Sequence, residues 1–165
     1  MNDWCNYTRK EYSVAQAAYL AGIIDGEGCI FIGNYSRGTH GDKFYQTLFT
    51  VATTSEELAI WLQNNFGGLK TVYTKNQTPK NSRKTVHRWV ASGDRLTHLC
   101  EIILPYVVIK RREVEIMMEM RATFEKYSPK KGQRSRLRLL PEDLELRQKL
   151  FEELKSIHTR NPNNP

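Results

Sequence analysis

Apolar and polar positions follow one another along this chain with a period that changes repeatedly, and each change marks an element. From Ser13, apolar or small residues recur at Val14, Ala17, Ala18, Ala21 and Ile24, which is helical spacing. Ser13 and Gln16 are placed to cap that helix reciprocally. A second face of the same helix carries Ala15, Tyr19, Gly22 and Gly26. A helix that is apolar or small on two faces is buried on two sides. One side belongs to its own core and the other needs a partner. Gly26 and Gly28 then end it.

Beyond the helix the period drops to two. Residues 29–36 read as a strand and residues 43–53 as its antiparallel partner, across a polar, glycine-containing turn at 37–42. Tyr45, Thr47, Phe49 and Val51 share one face of the second strand; Gln46, Leu48 and Thr50 share the other. Thr54 and Glu57 suit a second capping box. Leu58, Trp61, Leu62 and Phe66 then make an amphipathic helix that Gly67-Gly68 stops. Two more strands are expected at 69–75 and 84–92, the latter with Trp89 inward, around an acid-free basic loop over 75–84. Leu96, Leu99, Cys100 and Ile103 mark a third helix, ended by Pro105. A fourth is expected from about Lys110 to Tyr127, with Val114, Met117, Met118 and Phe124 as its apolar stripe. The last helix begins at Pro141, with Glu142 and Asp143 suited to its dipole and Leu150, Leu154 and Ile157 in an apolar line.

This order predicts an α+β domain (αββαββα plus C-terminal helices): an antiparallel four-stranded sheet with helices on one face. Nothing in the chain is left to cover the other face. That face is expected to be polar, rich in Thr, Tyr, Gln, Lys and Arg, and open faces of this kind can lie along a nucleic-acid groove. With 165 residues the chain suits one core. Residues 1–12 read as an arm, 13–127 as the core domain, and 128–165 as a basic connection, a C-terminal helix and a polar tail.

Charge sharpens the picture. Lys and Arg number 25 against 18 Asp and Glu, a net +7, which points to a polyanionic partner, most simply nucleic acid. It does not separate DNA from RNA. No stretch approaches about 20 apolar residues, and the N-terminal Met1-Asn2-Asp3-Trp4 lacks a signal peptide's apolar segment. The expectation is a soluble intracellular protein of the cytoplasm, nucleoid or an organelle matrix, without a membrane partner. Cys5, Cys29 and Cys100 form no CxxC pair, which argues against zinc. Cys29 and Cys100 read as small buried hydrophobes.

The chemistry concentrates in Leu20-Ala21-Gly22-Ile23-Ile24-Asp25-Gly26-Glu27-Gly28. Ala21 and Gly22 are small enough for another helix backbone to approach, Gly26 permits a sharp exit, and Glu27 projects from a helix end. Two such helices about a two-fold axis bring two Glu27 carboxylates together. Close carboxylates repel unless a cation lies between them, and hard cations such as Mg²⁺ take oxygen ligands. Asp25 reads as a local cap. Taken alone, Glu27 reads as a surface turn carboxylate; within this string the metal-ligand reading is stronger.

The string resembles the nine-residue signature of the LAGLIDADG homing endonucleases, and it stands where that family places it, at the end of the first helix. The resemblance covers about residues 14–127. It implies a saddle-like sheet and a metal-dependent double-strand break in DNA. Phe49-Thr50-Val51-Ala52-Thr53-Thr54 resembles the end of the family's second strand, where a polar side chain positions a metal-bound water; Thr53 falls there. Leu104-Pro105-Tyr106-Val107-Val108-Ile109-Lys110-Arg111-Arg112 resembles a segment whose lysine lies near the scissile phosphate, and Lys110 matches it. A cationic run at a helix start calls for an anion. Where some members carry a helical arginine, this chain has Glu57.

One motif and no internal repeat imply, through the same resemblance, a homodimer packed through Leu20, Ala21 and Gly22, acting on a long pseudo-palindromic double-stranded DNA site. Glu27 and the Gly26 carbonyl would hold Mg²⁺ (or Mn²⁺), with Lys110 and Thr53 as further catalytic residues. By strand alternation, DNA contacts are expected from Tyr35, Arg37, Gln46, Thr50, Thr71, Tyr73, Lys75 and Arg88. The basic stretches 75–84 and Lys130-Lys131 to Arg138 would add salt-dependent affinity. The alternatives are an intron splicing cofactor (maturase) binding RNA on the same fold, a DNA-binding regulator without catalysis, and an unrelated basic module. The last would leave the first helix's second face without a partner.

Overall fold

The computed structural model describes residues 8–37, 42–73, 85–127 and 139–160. Its elements run α1 (Val14–Glu27), β1 (Gly28–Arg37), β2 (Asp42–Thr53), α2 (Glu56–Phe66), β3 (Leu69–Tyr73), β4 (Val86–Ala91), α3 (Gly93–Ile103), α4 (Arg111–Glu125) and α5 (Pro141–Arg160). The strands form one antiparallel four-stranded sheet, as the strand and helix periods predict, and the structure gives its order as β1-β2-β4-β3.

Local chemistry sets the helix starts. At α1 the capping box is in place: Gln16 N donates to Ser13 Oγ at 3.2 Å and Ser13 N to Gln16 Oε1 at 3.0 Å. At α2 the expected Thr54–Glu57 box is absent. Thr53 Oγ1 accepts from Ser55 N at 3.1 Å, which turns the chain one residue further and makes Ser55 the cap, its hydroxyl accepting from Leu58 N at 3.1 Å. Ser55→Ala therefore costs about 1 kcal/mol, read as a lower urea midpoint with an unchanged slope. Thr54→Ala leaves the midpoint where it is.

The core lies between the helices and one sheet face. Ile30, Ile32, Tyr45, Phe49, Val51, Trp89 and Ala91 point inward and meet Leu20 and Ile24 of α1, Leu62 and Phe66 of α2, Leu96, Leu99 and Ile103 of α3, and Met117 of α4. Trp89 is fully buried, and its Nε1 donates to Gly67 O at 2.6 Å. Gly68, at φ +91, must be glycine twice over: its conformation is left-handed, and a Cβ there would lie 2.4 Å from Val90 O. Leu150 and Leu154 of α5 join the same core. Gln148 of α5 accepts from Asn34 Nδ2, Lys43 Nζ and Tyr45 Oη, which fastens α5 to β1 and β2. Among the described residues no helix is long and apolar enough to cross a membrane.

Three expectations about burial need correction. Val14 and Ala18 are exposed; the buried side of α1 is Ala17, Leu20, Ala21, Ile23 and Ile24. Cys100 is buried but Cys29 is exposed, because the alternation of β1 turns it away from the helices. The open sheet face is less polar than expected: Phe31, Phe44 and Leu69 are exposed on it, with Leu48 half-buried between them.

Candidate active site and nucleic-acid interface

A helix C-terminus leaves carbonyls without intrahelical partners, and a helix N-terminus leaves N–H groups. Here the end of α1 meets the start of α4, and each supplies what the other lacks. Lys110 Nζ donates to the carbonyls of Ile24 (2.9 Å), Asp25 (3.1 Å) and Gly28 (2.6 Å). In return, Asp25 accepts the backbone N–H groups of Val108 (2.8 Å), Ile109 (3.3 Å) and Lys110 (2.9 Å). The cation sits at the negative end of one helix dipole and the carboxylate at the positive end of the other. Asp25 is thus not the local cap expected from sequence: it accepts at the start of α4, 83 residues away in the chain.

The same geometry corrects the reading of the cationic helix start. Its anions are internal. Asp25 serves the backbone, Arg111 pairs with Glu115 at 3.4 Å, and Arg112 holds Glu119 and Glu153 at 2.8 Å each. Lys110 is committed to carbonyls of α1 and does not project as a free cation.

Glu27, the last residue of α1, is what the clamp leaves over. It is exposed, and its carboxylate makes no hydrogen bond or ion pair among the described residues. The neighbouring Gly26 is exposed too, and its carbonyl is not one that Lys110 occupies. Gly28 pairs with Val51, so Glu27 and Thr53 come to the same end of the sheet, where Lys110 also lies. Thr53 Oγ1 accepts from Ser55 N, which leaves its proton free to be donated. Both candidate metal ligands are hard oxygens. Among the described residues no group of three or more His, Cys, Asp or Glu could hold a metal within one chain.

The outer side of α1 bears on how that deficit could be met. Ala15, Ala18, Tyr19, Gly22 and Gly26 are exposed, and a Cβ built at Gly22 or Gly26 would meet nothing within 4 Å. Leu20 and Ala21, expected at a dimer interface, are 0% exposed and belong to the chain's own core. Of the three residues expected there, only Gly22 faces outward.

Strand register puts Tyr35, Gln46, Thr50, Thr71, Tyr73 and Arg88 on one face, the one turned from the helices, while the side chain of Arg37 lies outside what the structure describes. Tyr35, Gln46 and Tyr73 are exposed; Thr71 and Arg88 are half-buried. Arg88 Nη1 donates to Tyr73 Oη at 3.4 Å, and that guanidinium holds the Tyr73 phenol below its usual range. Thr50 is only 7% exposed, between Cys29 and Val90, and is too enclosed to reach a base. Lys75 and the basic stretches 75–84 and 130–138 lie outside the described residues. Phe31 and Phe44 were missed, although simple alternation through 29–36 and 43–53 places both on this face. Gly33 makes room for the Tyr35 and Phe31 rings: a Cβ there would lie 2.4 Å from the former and 2.9 Å from the latter.

The sequence matches no protein-family model and no curated protein. The fold does match solved structures. The homing endonuclease I-CvuI, in complex with its target in the presence of calcium, aligns with a TM-score of 0.64 at 20% identity, over 87% of this chain and 82% of that one. The archaeal intron-encoded homing endonuclease I-Vdi141I, complexed with DNA, gives 0.64 at 16% identity, over 86% and 83%. The LAGLIDADG homing endonuclease I-GzeII, in complex with its DNA target, gives 0.61 at 12% identity, over 90% of this chain and 49% of that one.

Proposed function

We propose that this chain, which has the fold of the LAGLIDADG homing endonucleases, is itself a site-specific DNA endonuclease that works as a homodimer with a divalent metal. The observation that carries this reading is Glu27: an exposed carboxylate without a partner among the described residues, at the end of a helix whose small-residue side is exposed. Pairing two copies along Ala18, Gly22 and Gly26 brings two such carboxylates together.

Glu27 and the Gly26 carbonyl would hold Mg²⁺ (or Mn²⁺). Bound there, the ion supplies Lewis-acid stabilisation of phosphate charge and a lower pKa for its water. Lys110 and Asp25 fix the last turn of α1 and so position both ligands; Lys110 acts through α1. Thr53 donates its hydroxyl proton to a water or to a phosphate oxygen. Tyr35, Gln46, Thr71, Tyr73, Arg88 and Arg37 face the major groove, where Gln pairs with adenine and Arg with guanine. The net charge of +7 adds salt-dependent affinity for the backbone.

The test is incubation with a plasmid library of randomised long inserts, with Mg²⁺ in one arm and EDTA in the other. Specific double-strand breaks with Mg²⁺ alone are the expected result. Selective DNA binding without cutting in either arm refutes the nuclease and leaves a regulator; RNA binding with no DNA preference leaves the splicing cofactor. For the dimer, Gly22→Ile is informative because the chain itself has room for the side chain. The variant should keep its thermal stability as a chain while light scattering shows its mass halved. An unchanged dimer mass places the interface elsewhere.

A further inference from the structure

β4 pairs with β2 between Phe49 and Thr53, so among the described residues the first half of β2 has one edge without a neighbouring strand. A cavity of about 430 Å³ opens beside it, between that edge, the start of α3, the end of α4 and α5. Its described lining includes three cations, Lys43, Arg121 and Arg147, and no carboxylate. Arg147 is 6% exposed and Arg121 is 7% exposed.

Arg147 donates from Nε and Nη2 to Thr123 Oγ1 and O, both at 2.8 Å, and its guanidinium lies 4.4 Å from the centre of the Phe124 ring. No carboxylate stands within ion-pair distance of it among the described residues. Asp143, one turn back along α5, is taken by Lys126 at 2.8 Å and by the Tyr127 hydroxyl. Arg121 has a single acid, Asp94 at 3.0 Å, whose side chain is 80% exposed. Burying a guanidinium without an anion is costly. Arg147 has no carboxylate hydrogen-bonded to it among the described residues, and with Arg121 and Lys43 it leaves the described lining of this cavity with three cations and no acid, an arrangement suited to an anion. Gly93, at the mouth, has φ +65 and open space where a Cβ would stand.

We infer that this cavity binds a phosphate group, with the Arg147, Arg121 and Lys43 cations as its partners. Phosphate suits the set because its oxygens accept from several guanidinium N–H groups at once. The cavity also has room for the ester groups on either side. Phe44 and Gln46, which line it, also lie on the open sheet face. A phosphate of a DNA backbone on that face and a free phosphate therefore share this chemistry.

The experiment follows thermal unfolding of the full chain in sodium phosphate and in sodium chloride at equal ionic strength, with Arg147→Met and Lys43→Gln alongside. In the wild type, phosphate at about a hundredfold excess over its Kd raises Tm by about 5–10 °C beyond chloride. Arg147→Met leaves the Thr123 carbonyl without its donor and unfolds at a lower Tm in chloride; measured against its own Tm in chloride, it loses the phosphate increment. Should Arg147→Met fail to fold, the exposed Lys43→Gln still reads the site through a smaller increment. A second arm measures duplex binding against salt. A slope lowered by about 1 in Arg147→Met assigns the site to a backbone phosphate; an unchanged slope with the increment lost assigns it to free phosphate. No phosphate-specific increment in the wild type together with an unchanged slope overturns the inference. The unfolding arm contains no DNA, so its result stands whether or not the chain cuts DNA.

Discussion

If the proposed function holds, Glu27→Gln should lower Mg²⁺-dependent DNA cleavage by about 10³-fold or more while leaving duplex affinity within about threefold. The size follows from what is lost. Glu27 is the one free carboxylate at the end of α1, and Gln keeps its shape but not its charge. Losing a metal's hold on the phosphate forfeits several kcal/mol of transition-state stabilisation, and each 1.36 kcal/mol is tenfold in rate. Affinity should survive, because in the proposed function it comes from the sheet face and from net charge. Stability survives as well, since Glu27 has no partner among the described residues to lose. Single-turnover cleavage and a mobility-shift titration on the same duplex read both halves. Full cleavage by Glu27→Gln would remove Glu27 from the site, and loss of binding along with cleavage would make it a structural residue.

Lys110→Met should unfold at a Tm about 10 °C below wild type. Its ammonium donates three charge-assisted hydrogen bonds to carbonyls at the end of α1. Leaving those carbonyls without donors costs about 3 kcal/mol, and in a domain of this size each kcal/mol moves Tm by about 2–4 °C. Arg does not rescue, because a planar fork cannot converge on three carbonyls as an ammonium does. Asp25→Asn weakens the other half of the clamp by putting an amide where Val108, Ile109 and Lys110 need an acceptor. The two changes are non-additive by more than 0.5 kcal/mol, as for residues in one network. Calorimetry of the singles and the double decides it. Loss of cleavage by Lys110→Met at unchanged Tm would mean that Lys110 works on the phosphate directly.

These contrasts show how unevenly the site could be read. The nine-residue string from Leu20 to Gly28 is local, so its helix end, its exit and the projecting Glu27 were legible from residue type and spacing. Alternation carried the sheet face equally well. Tyr35, Gln46, Thr50, Thr71, Tyr73 and Arg88 lie on one face, and the same count places Phe31 and Phe44 there. Thr50 failed for a different reason. Parity gives a side chain's face, but its depth depends on neighbours such as Cys29 and Val90 that lie on other strands.

Taken alone, the sequence determined the order of elements, the four-stranded antiparallel sheet, the capped start of α1 and the inward set built on Phe49, Val51 and Trp89. All of these follow from periods of 3.6 and 2 and from caps within a few residues. Only the tertiary structure decided which side of α1 its own core takes, because Leu20 and Ala21 are as suited to a partner helix as to a core. Only it decided that Lys110 and Asp25 satisfy each other's helix ends, and that Arg121 and Arg147 share a cavity with no acid among its described lining. Those arrangements join residues far apart in the chain, and a charge's partner is set by packing rather than by spacing.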